Sequence, residues 1–355
     1  MICRQGRMYC VEGTGRFAKE LVSLGHDVTM FGQNLKDPAS ISDFDIEANG
    51  INTQSYRRRK IKILDYLILY FHAFVAAKKS DFVYLFYPTS YRYLILAFAL
   101  FNIKYGLYVR GTIGIDSHVS KLIYKYASFA CTVSDVFTNI VNSVNKGAAQ
   151  TIKPMTPYSE RDIIDRDYKT PSVFNILVLC RIEREKGICE LLNAIALLHR
   201  FTNDSYHLSI VGDGGYLAES RKIVEALGIE EDVSFIGAVS GKDEKRRWFE
   251  KSDIYILPTY HEGFPRTLYE AMIYGTPIIT TMVGGIPALM EDGVNCLAID
   301  KQSVTSIVEK LRYAMDNYDR MIQCALNAKD TVSKVIDSQR PSHAQVVHHA
   351  ITEFR

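Results

Sequence analysis

Two carboxylates, Glu262 and Glu270, stand in the run His261-Glu-Gly-Phe-Pro-Arg-Thr-Leu-Tyr-Glu-Ala-Met272. The preceding Asp253-Ile-Tyr-Ile-Leu-Pro258 is continuously apolar, as expected of a strand buried on both faces of a parallel sheet. Behind the turn, Leu268, Ala271 and Met272 recur at helical spacing, so a helix is expected from Pro265, with proline at the first helical position. A strand's carboxyl end, a glycine-bearing turn and a helix N-terminus together offer free N–H groups and a positive dipole end to an anion. Glu262 lies in the turn and Glu270 some two turns into the helix. That layout suits a ligand with hydroxyls at both ends and phosphate in the middle.

Cations are expected at the same place. Arg181 and Lys186, in Arg181-Ile-Glu-Arg-Glu-Lys-Gly187, follow the apolar strand Phe174–Leu179. Two cations at a strand's carboxyl end can neutralise a diphosphate, and an arginine can hold two oxygens at once. The same loop would also serve as a solvated segment with internal Arg–Glu pairs. Val211-Gly-Asp-Gly-Gly215 and Val283-Gly-Gly-Ile-Pro287 are further glycine turns after strands. With Glu262 they outline a crevice outside the carboxyl ends of a parallel sheet.

The elements that position these residues alternate cleanly. Strands are expected at Phe174–Leu179, Leu208–Val211, Val233–Ile236, Ile254–Leu257, Pro277–Thr280 and Cys296–Ile299. Helices are expected at Cys189–Arg200, Tyr216–Leu227 and Asp243–Lys251, and from Asp300 onward, which is a doubly wound pattern. Residues 154–171 carry Pro154, Pro157 and Pro171 without a long apolar period and are expected to connect two domains, 1–170 and 171–335. A helical tail over 336–355 is expected to pack back on the first domain. In that domain, Met8–Val11 reads as a strand, Gly13-Thr14-Gly15 as a turn into a helix stopped by Gly25, and Asp27–Phe31 as a second strand. The glycine turn would either meet a nucleotide or only seat the helix. Strands are also expected at Phe82–Phe86, Lys104–Val109 (ending at Arg110-Gly-Thr112) and Ala127–Val133.

Between these lies Arg57-Arg-Arg-Lys60, then the apolar Ile61–Ala77, then Lys78-Lys79. It is either a mostly buried helix with a solvated basic entry or a monotopic membrane face, with Tyr93–Phe101 as a second apolar helix beside it. No leader pattern is read, and no apolar run reaches the ~18–20 residues of a spanning helix. At 355 residues, 47% hydrophobic and 23% charged, with a net charge of +2, the chain reads as globular and not as a general nucleic-acid binder. Its seven scattered cysteines form no C-x-x-C pair and are expected as reduced, buried thiols of a cytoplasmic protein.

The run from Ser252 to Ile299 resembles retaining glycosyltransferases of the GT-B fold, the family-4 type also described as glycosyl transferases group 1. The resemblance is carried by Glu262-Gly-Phe-Pro-Arg-Thr-Leu-Tyr-Glu270, Glu270-Ala-Met-Ile-Tyr-Gly-Thr-Pro277, Val283–Pro287 and Glu291-Asp-Gly-Val-Asn295. Arg181…Lys186-Gly187, Val211–Gly214 and Phe235-Ile-Gly237 fit it as well.

The resemblance implies an α/β architecture of two Rossmann-like domains facing a cleft, and transfer of a sugar from a nucleoside-diphosphate sugar to a glycan or lipid-linked acceptor. Glu262, with the amides around Gly263 and Phe264, would hold the sugar. Arg266 and Thr267 would meet the diphosphate, and Glu270 the ribose. Arg181 and Lys186 would stabilise the leaving group, Val239 would lie near the base, and Gly212 and Gly15 would lie along the donor. Pro265 has no N–H to offer, so that contact falls to its neighbours. Arg110 stands where many relatives have a histidine and would meet a donor or acceptor phosphate. No metal or cofactor is implied, and Asp43-Phe-Asp45 is read as a chance D-x-D. His261 and His26 are read as turn residues. A sugar-nucleotide epimerase of the same fold and a non-catalytic nucleotide-sugar-binding subunit are the competing classes.

Overall fold

The computed structural model describes the chain except residues 5, 35–41, 58–61, 111–113, 153–155, 157, 199–204, 264, 337–340 and 354–355; side chains 42, 43, 57, 62 and 63 are also outside the description. The chain divides into unit 1, Met1–Pro157 with Ser338–Arg355, and unit 2, Tyr158–Asp337.

Unit 1 opens with β1 (Ile2–Arg4), β2 (Arg7–Val11), α1 (Glu12–Ser23), β3 (Thr29–Asn34), β4 (Ser42–Asp45) and β5 (Asn52–Arg57). There follow α2 (Lys62–Lys78), β6 (Val83–Tyr87), α3 (Arg92–Leu100), β7 (Tyr105–Val109), α4 (His118–Tyr126), β8 (Phe129–Thr132), α5 (Asp135–Asn142) and β9 (Ala149–Thr151). Strands β6 to β9 form one parallel sheet in chain order.

The N-terminal pattern differs from the expected β–turn–α–β unit. β2 pairs antiparallel with β1 and β4, while β3 pairs in parallel with β5. Gly13 and Gly15 lie within the first turn of α1, not in a loop before it. A Cβ at Gly15 would fall inside the ring of Phe44, so this glycine lets β4 press against the helix. Its packing role is visible in the fold.

Within segment 57–79, the described part of α2 is not mostly buried. Asp65 and Leu69 of α2 are buried, but Leu67 is 64% and Phe71 65% exposed, with Leu64 exposed on the same stripe. Arg58, Arg59 and Lys60 lie outside the described residues. Gly111 and Thr112 do as well.

Unit 2 comprises β10 (Val173–Leu179), α6 (Ile188–Leu198), β11 (Ser205–Val211), α7 (Leu217–Leu227), β12 (Val233–Gly237) and α8 (Lys242–Glu250). These are followed by β13 (Ile254–Leu257), α9 (Arg266–Ile273), β14 (Ile278–Thr281), β15 (Leu297–Ile299), α10 (Val304–Asp316) and α11 (Tyr318–Ile336). Its six strands make one parallel sheet in the order β12-β11-β10-β13-β14-β15. The order reverses direction between β10 and β13, so a crevice opens outside their carboxyl ends.

Alternate side chains feed two cores, as the period of two in a strand demands. Ile176, Val178, Ile254 and Ile256 face α6 and α10, while Leu177, Leu179, Tyr255 and Leu257 face α9 and α11. Each fully buried apolar side chain of this kind contributes ~1.5–3 kcal/mol. The sheet is therefore a stiff base for whatever its edge carries.

The stretch expected to connect the domains is mostly strapped onto unit 2. Tyr158 is buried, the Ile164 amide donates to the Ile273 carbonyl at 3.2 Å, and Arg166 donates to the Phe249 and Ser252 carbonyls at 3.0 and 2.7 Å. A final helix, α12 (His343–Glu353), packs in unit 1 against α1 and β8, burying Ala344, Val347 and Ala350.

Candidate active site

The site is built where β10 and β13 end. After β10 the chain turns through Arg184–Lys186, a single 3-10 turn closed by Gly187 at φ 72°. A Cβ at Gly187 would overlap the Pro258 carbonyl, so only glycine lets the loop lie against the end of β13. The loop is fastened there: the Tyr260 amide donates to the Glu185 carbonyl at 2.7 Å, and Thr259 Oγ1 donates to the same oxygen at 3.3 Å. The carbonyls at and just beyond the end of β13 are met in turn by β14. Thr280 Oγ1 donates to Leu257 O at 3.0 Å and Thr281 Oγ1 to Thr259 O at 2.7 Å.

These fastenings bring Lys186 and Glu262 together. Lys186 Nζ donates to Glu262 Oε1 in a close ion pair whose lysine is buried. The Glu262 carbonyl accepts from the Gly285 amide at 3.3 Å, which docks the Val283–Pro287 turn on the same loop. Arg181 is exposed at the end of β10. The half-buried Cys180 thiol is pushed up to about 12, chiefly by loss of solvent, and it feels Lys186, Glu262 and Arg181. At neutral pH it is an inert thiol.

Pro265 is the N-cap of α9, extended at φ −71° and ψ 128°, and not its first helical residue. Helix α9 therefore starts at Arg266, and no side chain caps its N-terminus. The N–H groups of a helix's first turn have no intrahelical acceptors, which leaves a positive end beside Lys186's loop. Tyr255, buried on β13, donates to Thr267 Oγ1 at 2.6 Å and fixes that hydroxyl from beneath. Burial raises the Tyr255 phenol well above its ordinary range, with Glu270 and Glu262 adding to the effect, so it stays a donor.

Glu270 is the fifth residue of α9, a little over one turn in rather than two, and it is only 2% exposed. Its Oε1 accepts from Lys245 Nζ at 2.8 Å and from Tyr158 Oη at 3.1 Å. Its Oε2 is buried without a partner among the described residues. Lys245 and Tyr158 escape a reading of the sequence. Lys245 sits in the highly charged Lys242–Glu250 helix, which looks like a solvated face, and Tyr158 sits in what looks like a linker.

Several expected site residues have visible structural duties. Gly212, at φ 147°, carries its chain so close to the Cys180 carbonyl that a Cβ would overlap it, and its amide donates to Gly237 O at 2.8 Å. Val239 packs its side chain into the core beside Tyr158 and Phe249. Gly263 lies in the Glu262 turn, half-buried, and Phe264 lies outside the described residues. Arg266 is exposed.

Arg110 and Gly15 belong to unit 1. The Arg110 guanidinium lies 4.9 Å from the Phe86 ring centroid. Asp45 of the D-x-D is paired with Arg7 at 3.2 Å, and the side chain of Asp43 lies outside the description. Among the described residues, no group of three or more His, Cys, Asp or Glu side chains could hold a metal ion, and no helix is long and apolar enough to cross a membrane.

Known proteins resemble this chain in sequence and in fold. A segment of 105 residues is 35% identical to the Vi polysaccharide biosynthesis protein VipC/TviE of Salmonella typhi, covering 30% of this chain and 18% of that one. Over 147 residues the chain is 29% identical to the D-inositol 3-phosphate glycosyltransferase of Arthrobacter sp. (strain FB24), covering 41% of this chain and 35% of the relative. The chain thus spans well under half the length of these curated relatives. Among solved structures, Anabaena HepE in complex with UDP and glucose is similar at a TM-score of 0.69 and 16% identity, over 99% of this chain and 98% of that one. The sucrose-phosphate synthase of Thermosynechococcus elongatus reaches a TM-score of 0.70 at 16% identity, over 96% and 90% of the two chains. The fold is GT-B, with two Rossmann-like α/β domains, and residues 161–331, nearly all of unit 2, match the family Glycosyl transferases group 1.

Proposed function

We propose that this protein is a retaining, metal-independent glycosyltransferase of the family-4 type, taking a nucleoside-diphosphate sugar and transferring a hexosyl group to a glycan or lipid-linked acceptor. A UDP-sugar is favoured and a GDP-sugar is the second choice. The observation that carries this reading is the assembly of Lys186, Glu262 and the uncapped start of α9 at the switch point of the sheet. The names of the relatives, and the UDP and glucose bound to HepE, agree with it.

The residues divide the work by charge. Donor cleavage breaks the bond between the anomeric carbon and the β-phosphate oxygen, and negative charge grows on that oxygen. Lys186 is held in advance by Glu262 and the amides of Arg266 and Thr267 by the helix, Arg181 adds a second cation after the same strand, and together they would favour the transition state over the ground state. Glu262 accepts from the sugar's hydroxyls. Its pairing with Lys186 ties the sugar clamp to the phosphate clamp. The acceptor hydroxyl attacks the same face of an oxocarbenium-like sugar, and its proton passes to the departing phosphate oxygen.

A peripheral contact with the cytoplasmic membrane face through segment 57–79 belongs to the same reading. Leu64, Leu67 and Phe71 of α2 are exposed together with Tyr93 and Leu100 of α3. Lys78 lies 5.4 Å from the Phe101 ring and Arg92 5.0 Å from the Tyr93 ring, the mixture of cations and apolar surface that suits an anionic interface.

Incubation with UDP-, GDP- and ADP-sugars, followed by thermal unfolding and product analysis, tests the reading. One nucleotide series is expected to stabilise the fold and yield a glycoside with the same anomeric configuration as the donor. Stabilisation by none of them refutes a donor site here.

A further inference from the structure

We propose that Lys245 and Tyr158 position Glu270 so that its second oxygen receives the ribose of a nucleoside diphosphate, making the pair selectivity residues for a ribonucleotide over its deoxy counterpart. The inference rests on the donor reading above and adds residues to it from outside the loops that touch the ligand.

The case begins with the asymmetry of one carboxylate. Glu270 Oε1 is held twice, by Lys245 Nζ at 2.8 Å and by Tyr158 Oη at 3.1 Å, whereas Oε2 is buried and unpartnered among the described residues. Buried polar atoms are almost always satisfied, and an unsatisfied one calls for a group that the chain does not supply. The carboxylate is 3% exposed, so it has little room to turn and exchange the roles of its oxygens.

The supports are themselves locked. Lys242 and Lys245 share one face of α8 at i,i+3 spacing. Lys242 Nζ donates to both oxygens of Asp162 at 2.9 and 3.0 Å and lies 4.8 Å from the Tyr158 ring centroid. Tyr158 packs edge-on to Tyr274, centroids 5.9 Å apart. Burial, with Glu270 beside it, drives the Tyr158 phenol far above its ordinary range, so it keeps its proton and can donate it to Glu270. Asp162, Lys242, Tyr158, Glu270 and Lys245 thus form a chain of charge-assisted contacts with one open end, the Oε2 atom. A ribose offers two adjacent hydroxyl donors to such an acceptor. A dideoxy sugar offers none.

The test is calorimetric binding of UDP, GDP and ADP and of their 2′,3′-dideoxy forms to the full chain. The wild type is expected to bind one ribonucleotide roughly 10- to 100-fold more tightly than its dideoxy form, the range for hydrogen bonds to a charged group. In Lys245→Met the ribonucleotide should weaken to the dideoxy level while dideoxy affinity stays put. Lys245→Arg should restore most of the discrimination, and Tyr158→Phe, which keeps the ring, should lose a smaller part. Unchanged discrimination in both Lys245→Met and Tyr158→Phe overturns this inference and leaves the donor site standing. Failure of the wild type to bind any of the three diphosphates overturns the donor reading and this inference with it.

Discussion

The two units answer the problem of covering a parallel sheet in different ways. Unit 2 does it completely: β13 and β14 are buried at every position, and helices close both faces. Among the described residues, unit 1 breaks its strands into three sheets and leaves apolar side chains of α2 and α3 in contact with solvent. A rigid edge holds a ligand whose charge must be met to within fractions of an ångström. An open apolar flank suits a surface that must accommodate something larger.

Four outcomes sharpen or break this contrast, in descending size. Ile256→Ala empties a fully buried position of β13 and is expected to cost ~2–5 kcal/mol. Trp248, the single tryptophan, lies in unit 2, so its fluorescence should report that loss directly. Next, Lys186→Met should lower kcat by roughly 10²–10³-fold, the scale of removing one preorganised charge-stabilising donor, with the Trp248 transition still cooperative. Unaltered turnover would remove Lys186 from the mechanism.

The third outcome concerns pH and unit 1. His343 is buried with Tyr84 Oη 2.6 Å from its Nε2. Burial, and then the Arg110 charge, lower it from 6.5 to about 3. The folded state therefore prefers neutral imidazole. Its stabilising contribution is complete above pH 6.5 and declines as the pH falls towards 3, by about 1.4 kcal/mol per unit. Urea unfolding between pH 7 and 4.5 should show the decline in far-UV dichroism and much less in Trp248 fluorescence; a His343→Gln variant should flatten it.

The smallest effect is expected at the exposed stripe. Leu67→Ser with Phe71→Ser should change stability by no more than ~0.5 kcal/mol. The same pair should abolish sedimentation with phosphatidylglycerol vesicles at low salt. Retained sedimentation would refute a membrane contact through this stripe.

Legibility in the sequence followed the same divide. Strands with long buried stretches write themselves as apolar runs, so Ile254–Leu257 and Phe174–Leu179 are plain in the sequence, and the Glu262–Glu270 run follows the first of them into the candidate site. The antiparallel pairing of β2 was hidden because a five-residue strand carries no record of its partner's direction. Gly13 and Gly15 looked like a loop because glycine suits turns, yet Gly15 makes room for a ring that is distant in sequence. The break between α10 and α11 at Asn317 was also concealed, since both helices present apolar residues at continuous spacing. Lys245 was illegible for the opposite reason. Charged residues on a helix normally face water, and only the tertiary fold turns one of them towards a buried carboxylate.

The split of unit 1 around unit 2 has a consequence for birth on the ribosome. The groove that α12 fills against α1 and β8 is complete in sequence by Ile152, yet its occupant is translated only after the whole of unit 2. At 5–20 residues per second this leaves Phe17, Tyr108 and Phe129 uncovered for roughly 10–40 s, while unit 2 can fold behind them. The nascent chain thus carries a greasy, half-finished unit 1 for as long as unit 2 takes to be made, a window in which chaperones can shield it.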